Sequence, residues 1–135
     1  MDYKKGDIVT INFNPKKGDE VGKTRPALII SGDEENKILD TIIVMPLSTQ
    51  LLNDVKPFRL RIIKRDGLRE DSDLLVNHIR TISKKRVGIK IAAISEEEYQ
   101  SVITNLCKNF QWISPERSST TIFIAKRNVG FTLIA

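Results

Sequence analysis

Thr41-Ile42-Ile43-Val44-Met45-Pro46-Leu47-Ser48-Thr49-Gln50 runs apolar on both faces until three polar side chains close it. A strand without a wet side belongs in the interior of a sheet, and Pro46 predicts a bend near its end. Outward from this segment the period is two, the repeat of half-buried strands. Val9, Ile11 and Phe13 alternate with Ile8, Thr10 and Asn12 until Asn14-Pro15, and Pro26 to Ser31 is a short apolar strand. Phe58, Leu60 and Ile62 alternate with Arg59 and Arg61, which leaves one side basic and wet. Residues 74–82 are expected as one strand and Val87 to Ala93 as another, with polar turns at 32–37, 65–67 and 83–86. Six strands in under a hundred residues predict a small, strongly curved antiparallel sheet or barrel.

One helix is expected after the strands. Ser95 followed by Glu96-Glu97-Glu98 is a capping box, and Tyr99, Val102, Ile103, Leu106, Cys107 and Phe110 then recur at helical spacing. That stripe should lie on the sheet, with Cys107 as a buried structural thiol. The domain is expected to occupy residues 1–113. From 114 to 135, Pro115, Ser118 and Ser119 read as a linker. Two apolar runs follow, Thr120 to Ala125 and Val129 to Ile134, either as a hairpin covered by the core, another subunit or a partner, or as a disordered tail.

Composition excludes several classes of function. The chain has 135 residues, 40% apolar and 29% charged, which suits one domain with a modest core. No apolar run reaches the ~18 residues that span a bilayer. The start Met1-Asp2-Tyr3-Lys4-Lys5 lacks the apolar stretch of a secretory signal, so the cytoplasm is the expected address. One cysteine and one histidine exclude an internal disulfide and disfavour a Cys- or His-based metal site. Metal-free, cofactor-free chemistry or plain binding is what remains. The net charge of +5 is uneven: residues 56–90 hold eleven Lys or Arg against four acids, whereas residues 32–55 are net acidic. Such a cluster attracts a polyanion in a salt-sensitive way.

Three segments carry the candidate site. In Gly18-Asp19-Glu20-Val21-Gly22-Lys23-Thr24-Arg25-Pro26 a charged, Gly-rich loop delivers Arg25 to the start of an apolar strand. Its forked guanidinium either grips a phosphate or pairs with Asp19 or Glu20. Ser48 and Thr49 end the central strand, where a hydroxyl either faces a ligand or satisfies nearby backbone. In Asn77-His78-Ile79-Arg80-Thr81-Ile82, His78 is the one side chain with an ordinary pKa near neutrality. It can bind a base, shuttle a proton or simply finish a strand. Arg80 either contacts RNA or braces the fold through a carboxylate such as Asp71, and Arg86 ends the basic turn Lys84-Lys85-Arg86. Apart from Phe58 the aromatics lie away from the basic cluster, so stacking on an aromatic row is not expected and base selectivity would come from loop hydrogen bonds.

In order and spacing, five features resemble the MazF/PemK toxins, ribosome-independent endoribonucleases of bacterial toxin–antitoxin pairs. They are the Gly6-Asp7 start, the Gly18-x-Glu20 to Arg25-Pro26 loop, the Pro46-x-Ser48-Thr49-Gln50 strand end, the Gly67-Leu68 and Asp71-Ser72 turn, and Ile79-Arg80-Thr81-Ile82. The resemblance runs from about Gly6 to Phe110. It implies an SH3-like β-barrel with an appended helix, a homodimer with an RNA groove across its interface, and an antitoxin whose disordered tail blocks that groove. It also implies metal-independent cleavage of single-stranded mRNA to a 2′,3′-cyclic phosphate and a 5′-hydroxyl. By position it assigns catalysis to Arg25, Ser48, Glu20 and His78, and RNA binding to Lys16, Lys17, Lys23, Thr49, Gln50, Asn77, Arg80 and Arg86. Ser48 stands where the family has threonine, His78 where it has glutamine, and Asn77 where some members use aspartate. Two alternatives are a CcdB-like gyrase poison, suggested by Trp112-Ile113, and a non-catalytic nucleic-acid- or protein-binding barrel.

Overall fold

The computed structural model describes residues 2–15, 17–19 and 22–110. The expected C-terminal extension therefore lies outside the described residues. Among the described residues seven strands form one curled antiparallel sheet: β1 (Asp7–Asn12), β2 (Thr24–Ile29), β3 (Thr41–Ser48), β4 (Arg59–Ile62), β5 (Ser72–Leu75), β6 (Arg80–Ser83) and β7 (Val87–Ala93). Their order is β4-β5-β3-β2-β1-β7, with β6 paired to β3 beside β5. The doubly apolar run is thus the hub: β2 takes one edge of β3, and β5 and β6 share the other. Both faces of β3 are used. Met45 and Leu47 join Ile8, Leu28 and Leu74 in one core, and Ile42 and Val44 join Val9, Ile11 and Ile29 in a second.

The strand expected over 74–82 is broken. Leu47 pairs with Leu74, yet three residues earlier Val44 pairs with Arg80, six residues later on the other strand. Three residues are therefore left over, and they form the 3-10 turn Val76–His78. Val76 stays in the core while Asn77 and His78 are extruded from the sheet. The polar turn expected at 32–37 is a short helix, α1 (Asp33–Ile38), with acids in its first turn and Lys37 in its last, as the backbone dipole favours. Its Asn36 is buried, with Nδ2 donating to the Tyr3 and Ser31 carbonyls.

The second helix, α2 (Glu96–Asn109), starts as expected. Ser95 Oγ accepts from the Glu98 amide at 3.1 Å, and the Glu98 carboxylate accepts from the Ser95 amide at 2.8 Å. Arg65 binds the same carboxylate at 2.6 and 2.7 Å, clamping the helix start to the turn at 65–67. That turn lies so close to β7 that a Cβ on Gly67 would sit 2.7 Å from the Ile91 carbonyl oxygen. Tyr99 and Val102 enter the core, and the Tyr99 hydroxyl donates to the Ile30 carbonyl at 2.6 Å. The expected stripe fails at its end. Asn105 and Asn109 turn inward, with Asn109 Nδ2 donating to the Pro57 carbonyl, so Phe110 is 70% exposed and Cys107 is exposed too. Among the described residues no helix is long and apolar enough to cross a membrane.

The Arg65 guanidinium and the cap hold the Glu98 carboxyl at about 2, below its ordinary 4.5. A depressed carboxyl stabilises the fold above the unfolded pKa and ceases to do so as pH falls through the folded one. Urea midpoints of the wild type are expected to fall between about pH 5 and pH 2. Glu98→Gln is expected to be less stable at pH 7 and to show a flatter profile over that range.

Candidate active site

Antiparallel register assembles the site. The pairing of β2 with β3 runs from Ile29–Val44 to Ala27–Pro46, and Arg25 and Ser48 lie two residues beyond its end on the two strands. Ser48 pairs with Asp73 on β5, and Asp73 with Arg61 on β4. Directly opposed residues share a face, so Ser48, Asp73 and Arg61 form one row across three strands, with Arg59 two residues along on the same side; Arg25, two residues from Ala27 on β2, faces the same side. The extruded turn is fixed to this row, because the Val76 amide donates to the Phe58 carbonyl at 3.1 Å.

Arg25 is half-buried, and its Nε donates to the Gly22 carbonyl at 3.3 Å. Burial lowers its pKa, although a guanidinium stays charged throughout the physiological range. Among the described residues no carboxylate pairs with it; the partnership with Asp19 is not made. Glu20 and Lys16 lie outside the described residues. The chain reaches Arg25 through Lys23, whose φ of 55° is left-handed and whose amide donates to Asn14 Oδ1 at 2.7 Å. Lys17 and Lys23 are exposed.

His78 is half-buried, and its pKa is lowered first by burial and then by the positive charges of Arg59 and Arg25. Two cations thus converge on an imidazole that is held neutral near pH 7. The expectation that His78 merely finishes a strand does not hold, since it sits in the turn. Asn77 beside it is exposed. Ser48 Oγ accepts from the Gln50 amide at 3.1 Å, while Thr49 and Gln50 are exposed at the strand end.

Two expected contacts belong elsewhere. Arg80 does not brace the fold through Asp71, which instead accepts from the Lys64 amide; its guanidinium lies over the Phe13 ring, 5.7 Å from the centroid. Arg86 turns Nη1 to the carbonyls of Asn12 and Asn14, clamping the end of β1.

Two residues of the site carry no mark in the sequence beyond their charge. Asp73 is only 1% exposed. Its Oδ1 accepts from Arg61 Nε at 2.6 Å, and its Oδ2 accepts from the Leu52 amide at 2.7 Å and from Arg59 Nη1 at 3.2 Å. Burial works against the charged carboxylate, but the amide and the two guanidiniums outweigh it and the pKa ends below its ordinary value. Arg59 Nη1 also donates to the Gln50 carbonyl at 2.8 Å. The clue available in sequence is the Arg59-x-Arg61 alternation opposite a lone acid in Ser72-Asp73-Leu74-Leu75.

The family described as PemK-like, MazF-like toxin of type II toxin-antitoxin system matches residues 4–110. The chain belongs to this family. Endoribonuclease EndoA of Bacillus subtilis (strain 168) is 35% identical over 103 residues, 76% of this chain and 89% of that protein. Among solved structures, MazF from Deinococcus radiodurans superposes with a TM-score of 0.72 at 22% identity, covering 83% of this chain and 99% of that one. An endoribonuclease in complex with its cognate antitoxin from a mycobacterial species gives a TM-score of 0.64 at 16% identity, covering 84% and 98%. The expected fold class, mainly β with an appended helix, is the one these toxins share.

The single imidazole makes the electrostatics measurable. By NMR, His78 is expected to titrate below 6.5. Arg25→Gln and Arg59→Gln are each expected to move its midpoint upward, because each removes a positive charge that opposes protonation. A midpoint unmoved by both substitutions would show that the three groups do not share one cleft.

Proposed function

We propose that this PemK/MazF-family toxin is a metal-independent endoribonuclease that cuts single-stranded mRNA. The observation that carries the reading is a half-buried Arg25, unpaired with any carboxylate among the described residues, standing just past the paired part of β2 and β3, the latter of which ends at Ser48, with its charge acting on a half-buried His78. RNA carries its own nucleophile in the 2′-hydroxyl, so the protein needs to move protons and stabilise charge on the phosphorus oxygens. His78, neutral near pH 7, takes the proton from the 2′-hydroxyl as that oxygen attacks phosphorus. The guanidinium of Arg25 meets the charge that builds on the non-bridging oxygens, with the Ser48 hydroxyl donating beside it. The bond from phosphorus to the 5′-oxygen breaks, leaving a 2′,3′-cyclic phosphate and, once that oxygen is protonated, a 5′-hydroxyl. Glu20, on the loop that carries Arg25, is the second proton carrier.

The exposed side chains around the cleft, Lys17, Lys23, Thr49, Gln50 and Asn77, contact flanking nucleotides, with Lys16 on the same loop. Arg80 and Arg86 contribute field rather than primary contacts, since Phe13 and the end of β1 occupy them. By analogy with the Form-II MazE–MazF structure of Deinococcus radiodurans, which superposes with a TM-score of 0.67, and with the mycobacterial endoribonuclease solved with its cognate antitoxin, the partner is a cognate antitoxin; the working form is a homodimer, as the family resemblance implies. Family membership and the Arg25–His78 arrangement favour this reading over a gyrase poison.

Purified protein given a long single-stranded RNA and a chelator is expected to cut at a short recurring sequence. Arg25→Ala is expected to lower kcat at least about a hundredfold with circular dichroism unchanged. Wild-type cutting by that variant would sink the mechanism. In the wild type kcat/KM should rise with pH through the His78 midpoint, below 6.5, and His78→Gln should remove that limb.

A further inference from the structure

We propose that Arg59, braced by the buried carboxylate of Asp73, binds an RNA backbone phosphate flanking the one held by Arg25. This subsite rests on the reading of the cleft as an RNA site. The two arginines on Asp73 differ in what they leave open. Arg61 is occupied at both ends, with Nε on Asp73 Oδ1 and Nη2 on the Leu52 carbonyl and Asn53 Oδ1. Arg59 uses only Nη1, on Asp73 Oδ2 and the Gln50 carbonyl. Its Nε and Nη2 have no protein partner among the described residues. Those two groups form one edge of the planar fork, the shape that matches two oxygens of a phosphodiester.

Bracing alone would not require this open edge. The single negative charge of Asp73 is shared by two guanidiniums, so the cluster keeps a surplus positive charge, to which Arg25 adds. A concavity of about 180 Å³ gives an anion room there; Lys56, Arg59 and Arg61 line it against the two carboxylates of Asp54 and Asp73, which still leaves a positive surplus. Its rim is already ordered, because Asp73 holds the Leu52 amide and the two arginines hold the Gln50 and Leu52 carbonyls. A subsite organised before binding loses less entropy when the ligand arrives. Its placement suits a strand of RNA. Arg59 and Arg25 lie on β4 and β2, three strand spacings or about 14 Å apart at the backbone. Both charges act on His78, so each guanidinium lies within electrostatic range of that imidazole.

The probe is a labelled 2′-O-methyl RNA of random sequence and roughly ten nucleotides, which cannot supply the attacking hydroxyl. Binding is read by anisotropy from about 50 to about 200 mM salt. Arg59→Gln is expected to weaken binding about tenfold at low salt, the loss of one charge-assisted contact, and to lower the slope of log K against log salt by about 0.7. Lys37→Gln, an equal change of charge on the exposed α1, is expected to leave the slope unchanged. An Arg59→Gln slope equal to the wild type, or to that of Lys37→Gln, overturns the proposal. If Arg59→Gln lowers Tm by more than about 5 °C, Arg59→Lys replaces it. That variant should keep the slope and lose affinity several-fold, and wild-type affinity in it overturns the fork contact. Because the probe is not cut, the outcomes separate. Cleavage of ordinary RNA with an unchanged Arg59→Gln slope leaves the nuclease standing without this subsite, and no cleavage with a reduced slope does the reverse.

Discussion

The geometry of this protein follows from one mismatch on the far edge of β3. That edge pairs with β6 through residues 41–44 and with β5 through residues 47–48, in registers that differ by three residues. A continuous strand could satisfy one register but not both. The surplus is gathered into the turn at 76–78, where Val76 remains in the core and His78 projects at the sheet's end. Both pairings are anchored by buried side chains, Leu47 and Leu74 on one side of the break and Ile42 and Ile82 on the other. A slip of one residue in either would turn an apolar set to solvent. The extrusion of His78 is therefore held by core packing some distance from it.

Charge is arranged under the same constraint. Residues 56–90 carry a large basic surplus, yet few of those side chains face the site. Arg65 binds Glu98, Arg86 caps β1, Arg80 lies on Phe13, and Lys90 pairs with Asp7 at 3.3 Å. What makes the cleft positive is which cations lack a carboxylate of their own. Arg25 has none among the described residues, and Arg59 shares one with Arg61. A positive cleft whose neutral base has its pKa lowered by its neighbours is internally consistent: the charges that attract a phosphate also keep the imidazole able to accept a proton.

The parts legible in the sequence are those where one residue type has one physical use. A segment apolar on both faces has to be central, and Ser95 with Glu98 has to start a helix. Arg25 at the mouth of a strand was legible as a candidate anion site, although only the fold shows that no carboxylate among the described residues pairs with it. The break at 76–78 was hidden because Leu74, Val76 and Ile79 continue to read as strand, and only the pairing of β3 with two partners reveals the slip. Asp73 was hidden for the opposite reason. A lone acid in an alternating run reads as solvent-facing, and its burial is stabilised by arginines twelve and fourteen residues away in sequence and by the Leu52 amide twenty-one away. The inward turn of Asn105 and Asn109, which displaced Cys107 and Phe110 from the core face, likewise depends on a carbonyl at Pro57 that periodicity cannot see.

Asp73 also bears on a weakness at Ser48. Serine has no β-branch, so its hydroxyl is less restricted at χ1 than a threonine's would be. Here the Gln50 amide donates to Ser48 Oγ, which selects an orientation by hydrogen bonding. That bond holds only while the backbone at Gln50 is fixed, and the Gln50 carbonyl is held by Arg59, whose guanidinium is held in turn by Asp73. Ser48 and Asp73 are themselves paired across β3 and β5, so the chain of contacts closes on its own sheet. A buried carboxylate can in this way set the direction of a hydroxyl that it does not itself touch. The cost of burying it is offset by three hydrogen-bond donors within 3.2 Å rather than by solvent.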